Sequence, residues 1–130
     1  MSENELMPAG WYYVGDLCYV MHDVWQEVCD LTFPPDRKTG RGLEGIFTLK
    51  DGRKFAIFGT AYGDGVYLDE DGEEYGVDSG TLGCILKDDI VEGHDNDRTL
   101  GHTWAFQLDF KVGNDGGVIR FGRTVIDTLY

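Results

Sequence analysis

At 130 residues the chain has the length of one domain, and about two thirds of the unfolded surface of such a chain can be buried on folding, so a real core is expected. Its 24 acidic and 11 basic residues give a net charge of −13, a field that repels nucleic acid and anionic membranes and favours cationic partners. A hydrophobic fraction of 42% excludes disorder, and nineteen glycines against three prolines point to many tight turns between short strands.

The opening Met1-Ser2-Glu3-Asn4-Glu5-Leu6-Met7 has neither a basic start nor an apolar run. It does not read as a signal peptide, no later stretch reaches membrane-spanning length, and a cytoplasmic location is expected. Residues 1–10 read as a flexible lead into a single domain spanning 1–130. Trp11-Tyr12-Tyr13-Val14 and Leu17-Cys18-Tyr19-Val20-Met21 read as one or two strands interrupted by Gly15-Asp16, because aromatic and β-branched residues dominate. One helix follows at about 23–32. Asp23 is its expected cap, Val24, Trp25, Val28 and Cys29 form its apolar stripe, and Pro34-Pro35 ends it.

Residues 36–45 read as an exposed loop. Ile46–Lys50 and Arg53–Phe58 then form a hairpin around Asp51-Gly52, a pair suited to a two-residue type I′ turn that would set Ile46 opposite Ile57 and Thr48 opposite Phe55. In a second hairpin, Val66–Leu68 with Tyr75–Val77, a three-residue loop Glu70-Asp71-Gly72 pairs Tyr67 with Tyr75 and brings Asp64 opposite Asp78. A two-residue loop would instead oppose Glu70 and Glu73. Thr81–Leu86 is a further strand, and residues 87–102 read as a polar loop with room for one helical turn. Trp104, Phe106, Leu108 and Phe110 alternate with Thr103, Ala105, Gln107 and Asp109, the period of one half-buried strand. Asn114–Gly117 is the turn before a last strand pair over 118–121 and 124–129. The fold class is α+β, mainly β: a curved antiparallel sheet, or a partly closed barrel or sandwich, with one packed helix.

Chemistry-bearing residues cluster around glycines. Gly15-Asp16, Gly63-Asp64-Gly65 and Val77-Asp78-Ser79-Gly80 place carboxylates where the backbone can turn sharply and a ligand can approach, so Asp16, Asp64 and Asp78 are the catalytic candidates. Asp64 and Asp78 are also the candidates for a calcium or magnesium ion, with Tyr67, Ser79 and Thr81 as hydrogen-bonding neighbours. The competing reading is that aspartate beside glycine simply makes Asx-turns and caps backbone N–H groups. Asp69–Glu74 lacks the ligand spacing of a calcium loop and reads as a solvated acidic turn. Cys18, Cys29 and Cys84 are odd in number without a C-x-x-C spacing, which favours reduced thiols over a disulfide framework or a zinc cage. His22, His94 and His102 lack zinc spacing, and Cys18 with His22 has no assured geometry as nucleophile and base.

Charge is unevenly placed: six basic and two acidic residues lie between Arg37 and Lys54, and twelve acidic residues with only Lys87 between Tyr62 and Asp97. Gly76-Val77-Asp78-Ser79-Gly80-Thr81 resembles the signature of aspartic proteases, and Arg120-Phe121-Gly122-Arg123 the glycine that follows it, but the layout of the chain is wrong for that family. The elements Gly15-Asp16-Leu17-Cys18-Tyr19-Val20, Thr60–Tyr67 and Tyr75–Gly83, taken together over about residues 11 to 90, resemble a family of small bacterial and phage β-rich proteins with G-D-P-C-Y, G-D-G-x-Y and V-D-[SA]-G elements. Leu17 stands here where those carry proline. The resemblance implies no activity, but it implies that the three elements form one assembled unit.

Two functions compete. The first is a non-catalytic interaction protein, for example an inhibitor or immunity-like protein carried by a phage or mobile element. It would bind a basic protein surface through an acidic face of residues 64–97 that includes Asp64, Tyr67, Asp69, Asp71, Glu74, Asp78, Ser79 and Thr81. The second is a small enzyme or cation-dependent ligand-binding domain built on Asp16, Asp64 and Asp78, which requires those carboxylates to share a pocket.

Overall fold

The computed structural model describes residues 5–32, 43–90 and 101–129, so the expected proline stop after the helix and most of the two polar loops lie outside the described residues. The strands are β1 (Glu5–Met7), β2 (Gly10–Gly15), β3 (Gly45–Thr48), β4 (Lys54–Gly59), β5 (Gly65–Leu68), β6 (Glu74–Val77), β7 (Thr81–Leu86), β8 (His102–Phe106), β9 (Phe110–Asp115), β10 (Val118–Phe121) and β11 (Thr124–Asp127). Helix α1 (Trp25–Thr32) follows β2 after two 3₁₀ turns, Leu17–Tyr19 and His22–Val24.

A five-stranded antiparallel sheet in the order β3-β4-β7-β2-β8 forms the centre. One face packs Tyr12, Val14, Phe58, Leu82 and Phe106 against the sheet β1-β9-β10-β11, through Met7, Val112, Ile119, Phe121 and Ile126, and against the β5–β6 hairpin through Tyr75 and Val77. The opposite face packs Tyr13, Phe55, Ile57 and Ile85 against Leu17, Met21 and the Val28 side of α1. The result is a mainly β, sandwich-like α+β fold with the helix as an outer layer. Because β2, β4 and β7 are covered on both faces, their sequences read as apolar runs rather than alternations.

The second hairpin adopts the expected register: Tyr67 pairs with Tyr75, Asp69 N–H donates to Glu73 O, and Gly72 takes φ +83°, the left-handed position of a three-residue loop. The first hairpin departs by one residue. Gly45 pairs with Ile57 and Ile46 with Ala56, and Leu49 N–H donates to Arg53 O around a Lys50-Asp51-Gly52 loop. Only Gly52, at φ +99°, is left-handed there, whereas a type I′ turn would demand a positive φ of Asp51 as well. Asp51 instead points its carboxylate at Arg53, accepting the backbone N–H at 3.1 Å and two guanidinium N–H groups at 3.0 and 2.7 Å.

Four further expectations are corrected. Leu17–Met21 is no strand, because Asp16 caps a 3₁₀ turn there and Val20 and Met21 N–H donate to Leu17 O. The alternating stretch 103–110 is two strands rather than one. The chain corners at Gln107–Asp109, Leu108 lies 79% exposed, and the rings of Phe106 and Phe110 stack across the corner at 3.9 Å. Within the N-terminal segment, Glu5–Met7 pairs with β9 and buries Met7. Asp23 lies inside the second 3₁₀ turn, where its carboxylate pairs with Arg53 at 2.9 Å.

Candidate functional site

Asp16 terminates β2, and its carboxylate is fully buried. Oδ1 accepts the N–H of Cys18 at 3.0 Å, capping the 3₁₀ turn, and the hydroxyl of Ser79 at 2.8 Å. Oδ2 accepts the N–H groups of Asp78 and Ser79, both at 2.7 Å. Four charge-assisted bonds saturate this carboxylate, and each is worth roughly 1.5–3 kcal/mol. Since Ser79 Oγ donates to Asp16, its 2.6 Å contact with Thr81 Oγ1 is one in which Thr81 donates. The 60–65 turn joins the same junction. Thr60 N–H donates to Gly80 O at 3.0 Å, while the hydroxyls of Thr60 and Tyr67 both donate to Gly63 O, at 2.7 and 2.8 Å.

The three Gly-Asp elements therefore meet, but their carboxylates do not act as a set. Asp16 is enclosed and occupied. Asp78 is exposed and accepts the Tyr19 hydroxyl at 2.7 Å, and Asp64 is an exposed residue of the neighbouring turn. Among the described residues no group of three or more His, Cys, Asp or Glu side chains is arranged to hold a metal ion. Burial, followed by the nearby carboxylates of Asp16, Asp78 and Asp64, pushes the Cys18 thiol far above its ordinary value, so it is not a thiolate nucleophile at neutral pH. Burial and the Asp78 hydrogen bond likewise raise the Tyr19 phenol.

The acidic turn also separates into structural and free charges. Asp69 is 9% exposed; its Oδ1 accepts the N–H groups of Asp71 and Glu73, and its Oδ2 accepts the Tyr75 hydroxyl at 2.7 Å. Tyr75 Oη in turn accepts Trp104 Nε1–H at 3.0 Å, and burial together with Asp69 holds its phenol well above the ordinary value. His102 stacks on Trp104 at 5.4 Å, meets the Tyr75 ring edge-on at 4.9 Å, and its Nε2 lies 2.8 Å from Glu74 O. Glu70 accepts the N–H of Val125 at 2.8 Å, pinning the turn against β11. Asp71 and Glu74 are exposed.

Between this turn, β8 and the β10–β11 turn lies an open groove of about 1070 Å³. Trp104 and Phe106 line it, as does Trp11, which is 61% exposed although it is paired with Ala105 inside the sheet. The exposed Leu108 lines it as well. Glu70, Asp71 and Asp109 contribute three exposed carboxylates to the wall, beside the internally bonded Asp69, and Arg123 a single cation. A smaller depression of about 490 Å³, lined in part by Glu73, Glu74 and His102, lies on the other side of the acidic turn. The groove residues Trp11, Trp104, Leu108 and Asp109 are not among the candidates read from the sequence, because alternation assigns the aromatics of 104–110 to the core. Their signal is a strand, His102–Phe106, with no Lys, Arg, Asp, Glu or Pro, followed by an apolar residue stranded at a corner.

The chain matches no known protein family, no curated protein and no solved structure.

Proposed function

We propose that the protein is a non-catalytic binding module that holds a cationic partner in the groove along β8, acting as an inhibitor or immunity-like protein against a target with a basic surface. One observation carries this reading: the three exposed carboxylates of Glu70, Asp71 and Asp109 and the exposed ring of Trp11 share one open groove on a chain of net charge −13. Carboxylates attract lysine and arginine at long range, and indole faces retain them at contact through cation–π attraction. The enclosure of Asp16 by four donors speaks against the competing acid–base or cation-binding role for the Gly-Asp junction, since the buried carboxylate presents no free lone pair to a substrate or an ion. The Asp64, Asp78, Ser79 and Thr81 cluster becomes scaffold in this reading, and the binding charges move to Glu70, Asp71 and Asp109.

The test is calorimetric titration with an oligo-arginine peptide at about 10 mM salt, where charges act over about 30 Å. The groove pair Asp71→Asn with Asp109→Asn is compared with a control pair, Asp30→Asn with Asp88→Asn, that removes the same charge elsewhere. Asparagine at 109 keeps an acceptor for the Ala9 N–H that Asp109 binds at 2.9 Å. The expected result is binding weakened about tenfold by the groove pair and much less by the control pair. Equal weakening by both pairs would show a diffuse field and remove the groove from the account.

A further inference from the structure

Resting on the groove reading above, we infer that its occupant is an extended, arginine- or lysine-bearing peptide segment that adds to β8 as a sixth strand of the central sheet. The sheet ends at β3 on one side and β8 on the other. β8 pairs with β2 over five consecutive residues, Gly10 with Phe106 through Val14 with His102, so it is regular and carries no bulge. Its sequence, His102-Thr103-Trp104-Ala105-Phe106, contains no lysine, no proline and no inward charge, the devices by which natural edge strands deter added strands. Among the described residues no strand pairs with its outer side.

Other edges differ. β11 is stitched to the β5–β6 hairpin by the Asp69–Ile126 bridge and the Glu70–Val125 hydrogen bond, and β1 is only three residues long. The groove is lined by Thr103 and Ala105, which alternate toward one face of the sheet, and by Trp104 and Phe106, which alternate toward the other, so it wraps around the edge of the strand. An added strand would present alternate side chains to the two walls. One wall holds the exposed Trp11, Asp109 lies at the corner, and Glu70 and Asp71 lie on the opposite lip, so alternating cations and apolar residues match what the groove offers. A second copy of the same chain is the competing occupant of an open edge, and two chains of charge −13 brought edge to edge repel, which favours the basic segment.

The experiment uses a synthetic peptide of alternating arginine and valine in three forms: unmethylated, N-methylated at the odd amides, and N-methylated at the even amides. Addition as a strand requires one set of amides to face β8, so the expected result is that one methylated form loses at least about tenfold in affinity while the other keeps it. Amides within 102–106 should gain hydrogen-exchange protection only with the forms that bind. If both methylated forms bind as well as the unmethylated peptide and binding still weakens in the Asp71→Asn, Asp109→Asn pair, the groove captures cations but strand addition is wrong. If no form binds at about 10 mM salt, where surface charges are least screened, the groove reading itself falls. A dimer of the free chain by light scattering, with residues 102–106 already protected, would overturn the assignment in favour of self-pairing.

Discussion

The sharpest consequence at the residue scale concerns Asp16. In Asp16→Asn the amide N–H groups face the two backbone donors of Asp78 and Ser79 when turned one way, and the Cys18 N–H when turned the other, where the Ser79 hydroxyl can rotate to accept. Either way a backbone donor loses its acceptor and the remaining bonds lose their charge. Losing at least one bond and the charge assistance of the others at a fully buried site costs about 4 kcal/mol, to be measured by urea unfolding. A loss below about 1 kcal/mol would refute the structural role. Asp78→Asn should stay within about 1 kcal/mol, because the residue is exposed and asparagine still accepts the Tyr19 hydroxyl. Half of this role is legible in the sequence, since an aspartate beside a glycine caps its own turn, and Asp16 does so through Cys18 N–H. The other half is not. Oδ2 reaches backbone donors more than sixty residues away, and local sequence carries no sign of which distant turn will supply them.

At the scale of elements, Gly83 decides how the end of β2 and the turn after it sit on β7. A Cβ at this position would collide with the backbone oxygen of Ala56 and come within 2.7 Å of Leu17 Cδ1. Gly83→Ala should therefore destabilise the protein by about 3 kcal/mol, and adding Leu17→Ala should not restore it, because the backbone oxygen cannot yield. Full rescue in thermal melts of the double variant would show that the leucine alone sets the constraint. Leu17 and Gly83 belong to two separate sequence elements that read as one unit, and here their contact gives a physical reason. The two hairpins show where legibility stops. Glu70-Asp71-Gly72 could be chosen correctly because the alternative sets two glutamates opposite each other. Asp51-Gly52 slips because the Asp51 carboxylate bonds to Arg53, a term that outweighs the intrinsic preference of Asp-Gly for a type I′ turn. The stretch 103–110 misleads for another reason: Phe106 and Phe110 both face inward, as alternation demands, yet they do so from opposite sides of a corner.

For the whole molecule, the core between the central sheet and the sheet β1-β9-β10-β11 contains ionisable groups that must stay neutral. Cys84 is fully buried and its thiol is raised far above 9, chiefly by burial, and the phenol of Tyr12 is raised well above 10 by burial and then by Cys84, Asp89 and Asp109. Each group has a higher pKa folded than unfolded, so the stability linked to it is complete below the unfolded value and is lost as pH rises through the interval between the two. Stability should consequently hold from neutral pH to about 9 and then fall, with Cys84 alone withdrawing about 1.4 kcal/mol per pH unit above that point. Urea midpoints measured at pH 7, 9 and 10.5 on the wild type and on Cys84→Ala separate the causes. The variant starts lower, because a cavity replaces the thiol, but should decline less steeply with pH. Parallel curves would place the alkaline loss outside the packed interface of the two sheets. The sequence shows three reduced thiols and a β-rich composition; it does not show that β7 is buried on both faces, because a covered strand loses the alternation that would reveal its orientation. The layering that closes over Cys84 is therefore a property of the assembled molecule, and the slope of stability at alkaline pH reads it directly.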